Sequence, residues 1–243
     1  MYGDLAWTWP IVSRPEHYAR EAERFLQLTR QYAHLEVNTV LDLGCGGGHN
    51  DWTLKRDVQV TGVDVSEHML ALARKLNPQV EYIAGDMRSV RLGRAFDAVM
   101  AADAIDYMLT EQDLCAAFGT AYVHLKPGGV FCTYAEVTRE NWQQNETHAS
   151  LRTLGDVEIV FIENRYDPNP ADTTYEHTFV YLIRSDGELT IETDRHSGGI
   201  FPLERWRQLL RKVGFSVLPT KVDDEGIPWL VGVKPGADTD APA

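Results

Sequence analysis

A glycine-rich segment stands out as a place where the backbone could hold a nucleotide-like ligand. Residues 40–48 read VLDLGCGGG, so an apolar run leads into glycines at 44, 46, 47 and 48. Glycine permits positive φ and lets a ligand approach the backbone closely. The spacing is GxGxG, because His49 occupies the position at which the dinucleotide fingerprint GxGxxG needs its third glycine. A pyrophosphate cradle is therefore not favoured.

Two aspartates follow the next apolar runs. Asp64 comes after Gly62-Val63, and an acid at such a strand end can accept both hydrogen bonds of a ribose diol. Asp86 lies in the segment AGDM, in which Met87 offers a polarizable apolar surface for an aromatic ring. The ordinary interpretation of each acid is a helix cap or a solvated carboxylate.

The elements that must position these residues alternate between strand and helix. Ser13 and Glu16 are expected to form a capping box at the first helix, and Ser66 is expected to cap another. The alternation predicts right-handed βαβ units and a parallel sheet covered by helices. In this part of the chain, the predicted strands are Thr39–Leu43, Val58–Val63, Val80–Ile83, Phe96–Ala101 and Val130–Tyr134, and the predicted helices include Pro15–Tyr32 and Glu111–Leu125.

After Glu136 the pattern changes. Asp186-Gly187 is a strong hairpin signal, and the segment predicts an antiparallel insertion of roughly three strands. A short connection before the last strand predicts an antiparallel final pair. The predicted elements are strands Val157–Glu163, Tyr175–Arg184 and Glu188–His196, helix Pro202–Val213, and strands Phe215–Val222 and Trp229–Val233. The predicted units are a core (1–135), the insertion (136–201), a segment that completes the core (202–234) and a disordered tail (235–243).

Five ordered motifs make the sequence resemble the class I S-adenosylmethionine (SAM)-dependent methyltransferases. The motifs are VLDLGCGGG, GVDVS, AGDMRSV, FDAVMAADAI and LKPGGVF, and they cover about Val40 to Tyr134. The resemblance implies an α/β, Rossmann-like seven-stranded methyltransferase fold with an antiparallel final strand and a small antiparallel β insertion after the fifth strand. The insertion and the C-terminal strands look most like the small-molecule branch, which includes aminosugar N,N-dimethyltransferases. The family's usual loop is GCGTG or GCGSG, and Gly47 takes the place of the Thr or Ser.

The resemblance also implies the cofactor, SAM, the product, S-adenosylhomocysteine, and the residues that hold them. It places the loop glycines at the amino-acid end, Asp64 at the ribose hydroxyls, and Asp86 at the adenine amino group. The backbone of Ala101 would meet the methionine ammonium, and Tyr18 would lie over its carboxylate. The full implied set is Tyr18, Gly44, Cys45, Gly46, Gly48, Asp64, Val65, Asp86, Met87 and Ala101.

Methyl transfer from a sulfonium needs a nucleophile held opposite the departing sulfur. Positioning can supply about 7–11 kcal/mol of the barrier, and a base is needed only where the acceptor loses a proton. The candidate bases are His196, Tyr107 and Asp103. Alternation places Glu192, Asp194 and His196 on one face of their strand, which is the expected acceptor wall if that face looks into the cleft. The expected aromatic lining is Trp7, Trp9, Tyr107 and Trp142.

The composition of the chain limits the kinds of partner that it is expected to bind. The chain has 243 residues, with 23 Lys plus Arg against 36 Asp plus Glu and a formal net charge of −13, so binding to nucleic acid or an anionic membrane is disfavoured. Three cysteines without a CxxC fit a reducing cytoplasm better than a disulfide framework or a metal site. The beginning of the sequence lacks a signal-peptide pattern. The expected partner is a small-molecule acceptor, and Trp7 and Trp9 are interpreted as a lid or as a homodimer contact.

Two alternatives stay open. One is a protein that binds SAM or S-adenosylhomocysteine without turnover, because the family has no obligatory catalytic residue whose absence would be visible. The other is a nicotinamide-dependent oxidoreductase, against which the GxGxG spacing and the predicted antiparallel final strands both count.

Overall fold

A mixed sheet forms the centre of the computed structural model, which describes residues 3–236. Most of the predicted tail, residues 237–243, lies outside the described residues. The helices are α1 (Trp9–Val12), α2 (Ala19–Tyr32), α3 (His49–Leu54), α4 (Glu67–Leu76), α5 (Glu111–Val123) and α6 (Leu203–Val213). The strands of this sheet are β1 (Thr39–Leu43), β2 (Gln59–Asp64), β3 (Glu81–Ala84), β4 (Phe96–Ala101), β5 (Leu125–Tyr134), β10 (Ser216–Val217), β11 (Lys221–Val222) and β12 (Pro228–Val233), and those of a second sheet are β6 (Glu146–Leu154), β7 (Val157–Tyr166), β8 (Thr174–Ser185) and β9 (Glu188–Gly199).

The central sheet has the order β10-β12-β5-β4-β1-β2-β3, with β11 also paired to β12. The strands β1 to β5 are parallel to one another, whereas β12 is antiparallel to β5, β10 and β11. The predicted fold class is confirmed. The predicted strand Phe215–Val222 is wrong as one element, because it is broken into β10 and β11 around Pro219, which has no N–H for a ladder hydrogen bond.

Each face of the central sheet carries its own apolar core. Side chains of β1 alternate, so Val40 enters one cluster while Leu41 and Leu43 enter the other. The first cluster is covered by α2 through Phe25, and the second is covered by α5 and α6. This double covering is what a parallel sheet requires.

The second sheet is antiparallel, in the order β6-β7-β8-β9. It therefore has four strands where the sequence predicted about three. The missed strand is β6, whose sequence ETHASLRTL is polar and mostly exposed and shows no apolar alternation. The predicted hairpin is present, with positive φ at both Asp186 and Gly187.

The helix starts give one confirmed prediction and one wrong one. Ser66 Oγ accepts a hydrogen bond from the Met69 N–H at 3.2 Å, so Ser66 caps α4 as predicted. The predicted capping box of Ser13 and Glu16 does not form, because Ser13 follows α1 and its hydroxyl donates to Tyr18 Oη at 2.9 Å. Residues Pro15–Tyr18 form a 3₁₀ turn, and α2 begins only at Ala19. Within residues 3–236, no helix has both the length and the apolarity to span a bilayer.

Candidate active site

A cavity of about 340 Å³ lies at the carboxyl ends of β1 to β4, and we call it the glycine-loop cavity. It brings together residues that are far apart in the sequence, among them all three predicted bases. The predicted residues in its wall are Tyr18, Gly44, Cys45, Gly46, Asp64, Val65, Asp86, Met87, Asp103, Tyr107 and His196. Ligands of parallel α/β sheets commonly bind at this edge, where successive strands deliver their loops.

Two predicted residues do not line this cavity. Gly48 begins α3 with a φ of 75°, and a side chain there would run into Tyr82 and Asn77. Ala101 is buried at the end of β4, and its carbonyl accepts a hydrogen bond from Thr133 Oγ1 at 2.7 Å. Its neighbour Ala102 lines the cavity instead.

Asp64 fixes the shape of the glycine loop. Its Oδ2 accepts from the Gly46 N–H at 2.9 Å, and its Oδ1 accepts from the Ser66 N–H at 2.8 Å. The Gly44 and Cys45 N–H groups both donate to the Val63 carbonyl, so the loop is tied to the end of β2. Burial raises the pKa of Asp64, and hydrogen bonds from the backbone of Ser66, Gly46 and Val65 oppose that shift. Each carboxylate oxygen keeps a lone pair for another donor.

Asp86 has a partner that the sequence did not predict. Arg88 holds its carboxylate with Nε at 3.0 Å from both oxygens and Nη2 at 2.6 Å from Oδ2. These hydrogen bonds hold the pKa of Asp86 below its usual value. Asp86 is therefore an ionised acceptor at neutral pH, and buried Met87 beside it supplies the apolar surface.

Asp103 is exposed to the space of the cavity, and the cavity walls around it reduce the hydration of its carboxylate. It follows β4, in the 3₁₀ segment Asp103–Tyr107, and the Tyr134 hydroxyl donates to it. Burial first, and then the negative charge of Glu136, raise the pKa of Asp103 to about 6. A carboxylate with that pKa can accept a proton near neutral pH.

His196 is a weaker match to the base role. Its Nε2 lies 3.0 Å from Asp194 Oδ2, and its ring meets Tyr107 edge-on with 5.8 Å between centroids. Burial lowers the pKa of His196 to about 4, so the imidazole is neutral at pH 7. Asp194 and His196 are half-buried, whereas Glu192 on the same face of β9 is exposed.

Two of the four aromatic residues predicted to line the site do so. Trp9 and Tyr107 line the glycine-loop cavity. Trp142 packs on Tyr175 inside the insertion instead, with 5.2 Å between ring centroids. Trp7 is 48% exposed, and its role in a homodimer stays a prediction.

A second cavity, of about 980 Å³, adjoins the first and shares Tyr18 and Asp103 with it. We call it the acidic cavity, because its wall holds seven carboxylates and two arginines. Arg20 is paired with Asp224 and Glu225 at 3.5 and 3.3 Å, so it adds little free positive charge. The carboxylates are Glu21, Glu23, Asp103, Glu136, Asp223, Asp224 and Glu225. Apart from Asp103, none of them was predicted as a site residue, and the local sequence signal was the acidic run DDE at 223–225.

Comparison with known proteins points to one family. Residues 40–129 match the family described as a methyltransferase domain. The chain is 36% identical over 148 residues to dTDP-3-amino-3,4,6-trideoxy-alpha-D-glucopyranose N,N-dimethyltransferase of Streptomyces venezuelae, and the match spans 60% of each chain. It is 27% identical over 220 residues to dTDP-3-amino-3,6-dideoxy-alpha-D-glucopyranose N,N-dimethyltransferase of Streptomyces fradiae, covering 88% of this chain and 85% of that one.

The fold comparison agrees. The crystal structure of DesVI from Streptomyces venezuelae superposes with a TM-score of 0.83 at 25% identity, covering 93% of this chain and 94% of that one. The SAM-bound structure of CalS10, an amino pentose methyltransferase from Micromonospora echinaspora, has the same fold, with a TM-score of 0.77 at 23% identity and coverage of 91% and 92%.

These findings confirm the predicted family, cofactor and enzyme class. Five motifs in order, a parallel sheet closed by an antiparallel strand, and a glycine loop tied to an acid at the end of β2 occur together. Residues 40–129 match a methyltransferase domain, and the chain as a whole is similar to the SAM-dependent methyltransferases, in particular to the aminosugar N,N-dimethyltransferases.

Proposed function

We propose that the chain transfers a methyl group from SAM to the amino nitrogen of a small cationic acceptor and releases S-adenosylhomocysteine. One observation carries this proposal: the glycine-loop cavity adjoins the acidic cavity, and both share Tyr18 and Asp103. A cofactor in the first would therefore face an acceptor in the second across a carboxylate.

The residues of the glycine-loop cavity fit the three parts of SAM in order. Asp86 and Met87 follow β3 and would take the adenine, with Asp86 accepting from its amino group. Asp64 ends β2, and its remaining lone pairs would accept from the ribose hydroxyls. The loop after β1, with Gly44, Cys45 and Gly46, leaves room for the amino-acid end because the glycines carry no side chain. Val65 is 70% exposed and would lie beside the adenine.

The acidic cavity favours a positively charged acceptor. Seven carboxylates surround a space large enough for a sugar-sized molecule, and they attract an ammonium while opposing a phosphate. The two Streptomyces relatives are named for amino sugars linked to dTDP. The amino group is the feature that we carry over to this chain.

Asp103 would remove the proton that blocks the reaction. SAM supplies an electrophilic methyl group on a positively charged sulfur. An ammonium has no lone pair, so the acceptor must first lose one proton, and Asp103 would receive it. The neutral nitrogen then forms the new N–C bond as the C–S bond breaks, and the sulfonium becomes a thioether. Tyr107 and His196 would help to hold the acceptor in line.

Release of S-adenosylhomocysteine with paired acceptors tests this proposal. We expect turnover with a free amino sugar and none with its N-acetyl derivative, which keeps the ring but has no basic nitrogen. A dTDP-linked amino sugar in the same panel measures the effect of the diphosphate. SAM binding with no turnover on any amine would contradict the proposal and would support a binding protein without turnover.

We also propose that the reaction occurs in the cytoplasm, because Cys45, Cys115 and Cys132 are all free thiols.

A further inference from the structure

Among residues 3–236, several polar atoms in the wall of the glycine-loop cavity are buried without a hydrogen-bond partner, and three of them belong to Trp9 and the first two residues of α3. These three are Trp9 Nε1, His49 Nδ1 and Asn50 Oδ1. His49 is only 6% exposed and Asn50 only 8%. Buried polar groups in folded proteins nearly always have partners, so three orphans in one wall point to a ligand that completes them.

The surrounding contacts hold these atoms in place. The indole of Trp9 stacks on the His49 ring with 5.5 Å between centroids and 14° between planes, and Tyr18 packs against the same imidazole at 5.3 Å. Asn50 Nδ2 donates to Glu21 Oε1 at 2.6 Å, so the Oδ1 of Asn50 points away from Glu21. Ile11 and Val12, next to Trp9 along α1, pack into the apolar cluster of the insertion.

The strand order locates these atoms relative to SAM. Asp86 follows β3, Asp64 ends β2 and the glycine loop follows β1, and these strands are neighbours in that order. Adenine, ribose and amino acid therefore run from β3 toward β1. His49 and Asn50 come directly after the loop that follows β1, so they lie at the amino-acid end.

We propose that Trp9 Nε1 and His49 Nδ1 donate hydrogen bonds to the carboxylate of the SAM methionine, and that Asn50 Oδ1 accepts one from its ammonium. This inference rests on the proposed function. Burial lowers the pKa of His49 to about 4, and a neutral imidazole carries one N–H, which this arrangement puts on Nδ1.

The glycine at position 47 supports the same assignment. A Cβ there would lie 2.8 Å from Trp9 Cδ1 and 2.9 Å from Trp9 Nε1, so a threonine or serine would displace the indole. The family's usual loop has a hydroxyl at this position. Here that hydroxyl is absent, and the Trp9 indole N–H lies close to where it would be.

Comparing two ligands isolates the proposed contacts. S-adenosylhomocysteine and 5′-methylthioadenosine share adenine, ribose and sulfur, but only the first has the carboxylate and the ammonium. Trp9→Phe and His49→Phe each keep an aromatic ring and remove one donor. We expect each to raise the calorimetric dissociation constant for S-adenosylhomocysteine by about tenfold or more, and to leave that for 5′-methylthioadenosine within about twofold. The matched control is Trp52→Phe, since that indole lies on α3 outside the cavity wall, under Arg56.

Equal losses for both ligands, or no loss for either, would overturn the inference. If the wild-type protein binds S-adenosylhomocysteine in the same experiment, that result leaves the proposed function intact.

The wild-type protein provides a second test without any substitution. It has six tryptophans, and Trp9 is the one in the described wall of this cavity. We expect one indole N–H resonance to shift with S-adenosylhomocysteine and to stay in place with 5′-methylthioadenosine, and the same shift with both would overturn the inference.

Discussion

Asp103 shows how the surroundings of one carboxylate set its chemistry. Burial and the charge of Glu136 raise its pKa to about 6, while the hydrogen bond from Tyr134 acts in the opposite direction. Glu21 and Asp106 nearby also have raised pKa values, each mainly through burial and then through a neighbouring negative charge. The acceptor side of the site thus holds several carboxyls whose pKa values are raised by burial and by neighbouring negative charges.

We predict that Asp103→Asn removes the group that controls methyl transfer near pH 6. In the wild type, kcat should rise with pH through about 6 and then level off, because Asp103 must be ionised to accept the acceptor's proton. The variant should lose roughly 10²–10⁴-fold in kcat, and its kcat should keep rising with pH, because only an acceptor that has lost its proton to solvent can react. Initial rates between pH 5 and 8 measure both. A variant profile that still levels off above pH 6 would assign the base to another group.

The same substitution should stabilise the fold at neutral pH. Between the ordinary carboxyl pKa and about 6, the folded protein keeps a proton on Asp103 that the unfolded chain has released. Stability therefore falls as pH rises through that window, and Asn avoids this loss because it has no charge. Thermal unfolding at pH 7.5 should show a higher Tm for the variant, and a lower Tm would mean that the ionised group stabilises the native state.

Among the elements, the junction of β9 with the segment after β4 decides whether the insertion reaches the site. Gly199 ends β9, and a Cβ there would overlap the carbonyl oxygen of Met108. Met108 follows the 3₁₀ segment that carries Asp103 and Tyr107, and His196 lies three residues before Gly199. Close backbone contact at this glycine therefore positions the bases from both sheets together.

We predict that Gly199→Ala lowers the free energy of unfolding by about 1–3 kcal/mol, because the methyl group forces two backbone segments apart. Gly119→Ala in α5 is the matched control, since a Cβ there meets nothing within 4 Å. The control should gain about 1 kcal/mol from helix propensity. Urea unfolding measures both variants, and a neutral Gly199→Ala would show that the junction tolerates added volume.

How far the sequence could predict each element depended on its local pattern. Strands β1, β2 and β4 are short, largely apolar runs, and they were predicted nearly to the residue. Strand β6 is polar and exposed, so it carries no such signal. The acidic cavity is assembled from α2, the ends of β4 and β5, and the loop before β12, and only the fold brings these together. His49 was visible as a departure from GxGxxG, but its stacking on Trp9, 40 residues earlier, was not.

Over the whole molecule, the negative charge is concentrated where the proposed acceptor would enter. The chain carries a formal net charge of −13, and within residues 3–236 seven carboxylates line one cavity. The described walls of the glycine-loop cavity hold Arg88, which is already paired with Asp86 and Asp113. This distribution suits a sulfonium and an ammonium, since both are cations, better than a pyrophosphate.

Calorimetric titration with SAM, S-adenosylhomocysteine and NADH tests most directly whether the glycine-loop cavity is a SAM site. We predict dissociation constants on the order of micromolar for the first two ligands and no binding of NADH. Asp64→Ala should abolish both, because it removes the ribose acceptor and the anchor of the Gly46 N–H. Asp57→Ala is the control, as an exposed acid outside the cavity. Tight NADH binding, or SAM binding that Asp64→Ala leaves unchanged in a folded protein, would contradict this assignment.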